Sequence, residues 1–155
     1  MKKKFPTIAA SAGGVILMVV VYASARFIGE TVGSTARTAF SPNPTTSELL
    51  AAAVTEVNKM APLVVDGVEL MNAVGFDETI TYNYRFVDLE VSDLDQALVD
   101  EVIADEVKPG AIRQACSTPD TRNGVLDQGL KMRYVYHDMT RVYLTEFTIS
   151  VADCR

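Results

Sequence analysis

The sequence predicts an exported α+β domain: an N-terminal transmembrane helix, then an antiparallel sheet of about four strands, in two hairpins, covered by two helices and closed by one disulfide. Three observations carry this. Met1-Lys2-Lys3-Lys4 leads into 21 uncharged residues, Phe5 to Ala25. Further along, stretches with helical apolar spacing take turns with pairs of stretches that alternate every second residue. The only two cysteines, Cys116 and Cys154, both lie beyond the leader.

Roughly 20 apolar helical residues cross a hydrocarbon core about 30 Å thick, and cytoplasmic lysines fix the orientation. Residues 1–33 therefore read as a membrane anchor or signal segment. The N-terminus is then cytoplasmic and the domain periplasmic, on a single pass through a bacterial inner membrane. The same residues also satisfy a cleavable signal, because Val15 to Tyr22 is a short strongly apolar block and Ala23-Ser24-Ala25 is a peptidase site. Retention is favoured by the continuation Phe27 to Gly33, which carries Gly29 and Gly33 four apart for close helix contact. Anchor and cleavage after Ala25 both stay open. The absence of a cysteine near residue 25 excludes a lipoprotein signal.

Residues 34–44, small, polar and broken by Pro42 and Pro44, read as a linker to a domain over 45–155. Thr45 followed by Glu48 makes a capping box, and Leu49, Leu50, Ala53, Val54 and Val57 share one face of a helix over 46–60 that Pro62 ends. Leu63 to Gly67 reads as an extended turn into a strand from Val68 to Val74. Gly75 to Glu78 supplies a turn, and Ile80, Tyr82, Tyr84 and Phe86 alternate with Thr79, Thr81, Asn83 and Arg85 in the returning strand. Ser92 caps a second helix with Asp93 and Asp95 in its first turn, an inner stripe of Leu94, Leu98, Val102 and Ile103, and a stop at Lys108-Pro109-Gly110. Ala111 to Ala115 adds a helical turn, and Ser117 to Asn123, with Pro119, reads as loop. Gly129 to Tyr136 and Arg141 to Val151 form the second hairpin around His137 to Thr140.

The part beyond Ala25 holds all 20 acidic residues and 11 basic ones, a formal charge of −9. Such a field repels nucleic acid and anionic headgroups and leaves cationic protein partners compatible. In an oxidising compartment Cys116 and Cys154 pair, a link worth about 4 kcal/mol in the chain-entropy account. The sole histidine, His137, sits at a hairpin turn and reads as an exposed turn residue. The acids Asp93, Asp95, Asp100, Glu101, Asp105 and Glu106 lack a calcium-loop pattern and read as a solvated helix face. No phosphate loop, nucleophile elbow, Cys-x-x-Cys or His-Glu-x-x-His occurs, so no catalytic, cofactor or metal residue is assigned. Tyr82, Tyr84, Tyr134 and Tyr136 fall on the strands. They read either as packing under the helices or as an aromatic interaction surface.

Arg26-Phe27-Ile28-Gly29-Glu30, Glu56 to Asp66, Tyr82-Asn83-Tyr84, Tyr134 to Asp138 and Asp153-Cys154 resemble a group of small uncharacterised membrane-anchored envelope proteins of Gram-negative bacteria. The resemblance implies an anchor and one extracytoplasmic domain; it carries over no functional residue. A type II secretion pilotin is similar in outline, without the lipidation cysteine. The reading is a non-enzymatic, inner-membrane-anchored periplasmic protein that acts through protein contacts, as an accessory subunit of an envelope complex. The alternative is a soluble ligand-binding module released after Ala25.

Overall fold

The computed structural model describes residues 44–90, 92 and 95–155. The expected anchor or cleavage site, most of the expected linker, Asp93 and Leu94 lie outside the described residues. Among those that are described, no helix is long and apolar enough to cross a membrane.

Helix α1 spans Thr46–Met60 and begins as its sequence dictates: the Thr45 hydroxyl accepts from the Glu48 N–H at 3.3 Å and the Glu48 carboxylate accepts from the Thr45 N–H at 2.7 Å. Strands β1 (Leu63–Val65), β2 (Val68–Phe76) and β3 (Thr79–Phe86) follow as an antiparallel meander. Leu63 to Val65, expected as a turn, is a short edge strand. Asp66 and Gly67, both at positive φ, make the two-residue turn that folds it onto β2.

The segment after β3 departs most from expectation. Helix α2 (Gln96–Val102) starts at Asp95 and not Ser92, because the Asp95 carboxylate takes the Ala97 N–H at 3.0 Å. Pro109 does not stop the helix. The chain widens into a π-turn over Ile103–Val107, whose Lys108 N–H donates to the Ile103 carbonyl, and restarts as α3 (Lys108–Ser117). Pro109 thus falls in a first turn, where a missing N–H costs no hydrogen bond. Pro119 likewise opens a helix, α4 (Pro119–Gly124), in place of the expected loop. Strands β4 (Lys131–His137) and β5 (Tyr143–Ile149) complete the sheet, and Val151, expected in the last strand, instead opens a 3-10 turn, Val151–Asp153.

The sheet has five strands in the order β1-β2-β3-β4-β5, and it is mixed. The expected all-antiparallel sheet is corrected at its centre, where β3 and β4 run parallel from Thr79↔Lys131 to Arg85↔His137. The helical crossover of α2, α3 and α4 returns the chain to the end at which β3 began, and a returned strand pairs parallel. Both hairpins stay antiparallel. One sheet face packs under the helices in a single core with Leu49, Ala53 and Val57 of α1 and Ile103, Val107, Ala111 and Ala115. The other face is laced by Glu69 with Arg85, Asn72 with Asn83 and Arg133 with Glu146, beside the exposed Val64 and Val74.

Two contacts seat α1 on the sheet. Gly75 lies under α1 so closely that a Cβ there would meet Leu50 Cγ at 2.9 Å. Asn58 turns its carboxamide to the edge of β2 beyond the end of β1. Its Nδ2 donates to the Ala73 carbonyl at 2.9 Å and its Oδ1 accepts from the Ala73 N–H at 2.7 Å. One side chain thereby pairs the edge as a neighbouring peptide would.

Candidate functional site

The parallel register sets Tyr82 beside Tyr134 and Tyr84 beside Tyr136. Their rings stack in one layer, with centroids 5.4 Å apart for Tyr82 and Tyr134 and 5.3 Å for Tyr84 and Tyr136. Phe147 joins from β5, 4.9 Å from Tyr134, and Phe86 closes the row against Tyr136 at 6.0 Å. All four tyrosines are at most 2% exposed. The structure thus places these candidate surface residues inside the core, because the helices cover the face on which alternate strand residues must lie. Burial pushes the phenols of Tyr82, Tyr134 and Tyr136 above the usual range, and Tyr134 adds to the shift of both its neighbours. The hydroxyls of Tyr82 and Tyr136 find no hydrogen-bond partner among the described residues.

Cys116, in the last turn of α3, is joined to Cys154 across 38 residues, with Cα atoms 5.4 Å apart. The C-terminal segment is held at further points. Arg122 donates to the Cys154 carbonyl at 3.4 Å, and the Asp153 carboxylate accepts from the Ser150 N–H at 2.8 Å. That backbone donor, with the Ser150 hydroxyl, holds the Asp153 carboxyl below the usual carboxylate range.

His137 is not a turn residue. It ends β4 half-buried, with Nδ1 3.2 Å from the Tyr84 carbonyl, so the nitrogen that bears the proton there donates to it. The turn is built instead by its neighbour. Asp138 is buried, and one carboxylate oxygen accepts from the Thr140 N–H, the Thr140 hydroxyl and the Val142 N–H, each at 2.8 Å. Sequence reasoning missed this role, although an aspartate two residues before a threonine at a hairpin is a recognisable turn signal. The acidic face of α2 stands in solvent, and no group of three metal-binding side chains forms among the described residues.

Leu98, expected in the inner stripe, points outward at 56% exposure, and α2 buries no residue fully. At one end of the sheet Tyr143 is exposed, and its phenol is raised first by desolvation and then by the charges of Glu146 and Asp100.

No protein-family model and no curated protein sequence matches the chain. Three solved structures share its fold. A Pseudomonas aeruginosa protein assigned as secreted aligns over 71% of this chain and 93% of its own, with 15% identity and a TM-score of 0.58. The type 2 secretion pilotin EpsS of Vibrio vulnificus aligns over 71% and 92%, with 12% identity and a TM-score of 0.52. The pilotin AspS of Vibrio cholerae aligns over 70% and 92%, with 14% identity and a TM-score of 0.50. At these identities the likeness is one of architecture: the described residues share the fold of this secreted protein and of the two pilotins.

Proposed function

We propose that this protein is a non-enzymatic periplasmic domain, held at the inner membrane by its N-terminal segment, that acts through protein contacts as an accessory subunit of an envelope complex. The observation that carries the reading is the match of almost the whole of two secretion pilotins to the same mixed sheet and helical layer. The chain's own chemistry supports it. The stacked rings of Tyr82, Tyr84, Tyr134 and Tyr136 lie in the core, the histidine sits against a backbone carbonyl and the cysteines form a disulfide. The apolar leader behind three lysines supplies the anchor.

Extraction of membranes with a mild detergent, followed by native affinity isolation of the full chain, tests this. The expected result is an envelope protein retained in fixed ratio; a chain that always purifies alone sinks the accessory role. The secreted neighbour favours a second reading, in which the domain is released after Ala25. Intact mass of the mature protein separates the two, since an N-terminus at Arg26 removes the anchor.

A further inference from the structure

The strand pairings bring one set of connections to a single end of the sheet. Val65↔Val68, Val68↔Phe86, Arg85↔His137 and His137↔Tyr143 place there the β1–β2 turn, the segment leaving β3 and the β4–β5 turn. These connections are bonded into one surface. The Val87 N–H donates to Gly67 at 3.0 Å and the Met139 N–H to Leu89 at 2.8 Å. Gln96 fastens the start of α2 alongside, its side-chain amide reaching the Leu144 carbonyl at 3.3 Å and the Asp100 carboxylate at 3.0 Å.

Two properties meet on this surface. Val87, Met139, Val142 and Tyr143 stand 37, 40, 51 and 54% exposed, four of the nine large apolar side chains exposed among the described residues. Around them are the exposed acids Asp66, Asp88, Glu90, Asp95 and Asp100, none in an ion pair with a described residue, and one cation, Arg141. On the open face between the two ends the charges pair instead: Arg85 is held by Glu69, and Arg133 by Glu146. An apolar centre with an aromatic anchor and a rim of unbalanced charge is how protein interfaces are built.

The sign of the rim chooses the occupant. A second copy would bring the same acids against themselves, and a chain with a formal charge of −9 beyond its leader repels anionic headgroups and nucleic acid. We infer that this end of the sheet is the docking surface for a cationic amphipathic segment of a protein partner, with Tyr143 and Val142 receiving its apolar face and Asp88 and Asp100 its lysines or arginines. The inference rests on the protein-contact reading above and gives it a place and a chemistry.

The test titrates the full-length protein, in an uncharged detergent, with a short synthetic helix bearing lysines on one face and leucines on the other. Binding is expected to weaken about tenfold in Asp88→Lys/Asp100→Lys and again in Tyr143→Ser, as removal of an interface anchor does. Asp77→Lys/Glu78→Lys, at the opposite end of the sheet, is expected to bind like the parent. Equal binding by all variants, no binding by the parent, or loss of a parental dimer in Tyr143→Ser each overturns the proposal. Native isolation of the Asp88→Lys/Asp100→Lys chain keeps the two readings apart. Undiminished retention of the partner found with the parent removes this surface and leaves the accessory role standing. If the parent retains no partner, the accessory role itself falls.

Discussion

Tyr82 and Tyr136 each bury a hydroxyl that no described residue accepts, whereas Phe86 and Phe147 occupy the same layer without one. A buried hydroxyl left unpaired costs about 1 to 3 kcal/mol, so Tyr82→Phe and Tyr136→Phe are expected to hold or raise stability, by about 1 kcal/mol, in denaturant unfolding. A clear loss in either variant would reveal an acceptor for that hydroxyl. The same burial sets an alkaline limit. A phenol whose folded-state pKa is raised contributes stability that is complete below the ordinary value near 10 and is lost as pH rises through the folded-state value. Unfolding midpoints should therefore fall steadily above about pH 10, with the buried phenols ionising as the chain opens. Phenolate absorbance growing fully while the fold persists would contradict this. The alternation that buries these rings was legible in the sequence. Their missing acceptors were not, because a hydroxyl's partner depends on what the fold brings near it.

At the scale of elements, α1 was legible from Thr45 to Met60, since a capping box at one end and Pro62 beyond the other leave little freedom. Asn58 shows where local reading stops. Its position near a helix end was plain, but its pairing with Ala73 depends on where β2 passes. Asn58→Leu strips both partners from the Ala73 peptide and is expected to cost about 1 to 3 kcal/mol in denaturant unfolding, with Asn58→Asp, which keeps an acceptor, losing less. An unchanged midpoint for Asn58→Leu would show that the edge is satisfied by other means. The stop expected at Pro109 failed for a related reason. A proline forbids a regular helix interior, and the rule does not foresee a π-turn that moves the proline into a fresh first turn.

Across the whole molecule, the disulfide and both hairpins were legible, and the parallel centre was not. Alternation in β3 and β4 shows that each has one wet face; it does not say which strands are neighbours, and only the path of the 44-residue connection between Phe86 and Lys131 makes them parallel. The Cys116–Cys154 link ties the C-terminus to the helical layer over that central pair. Its reduction is expected to lower stability by about 4 kcal/mol, a large share of the roughly 5 to 15 kcal/mol of a typical domain. Thermal unfolding with and without reductant checks this, and coincident transitions would mean the link constrains little.

The exposed end of the sheet, the acidic surface and the lysine-led leader all bear on one claim, that this domain works at a membrane by holding another protein. Native mass spectrometry of the full-length chain released from solubilised membranes measures that claim most directly. The account predicts a complex in fixed ratio with another envelope protein, in which the chain still carries residues Met1 to Ala25. A bare monomer beginning at Arg26 would contradict it.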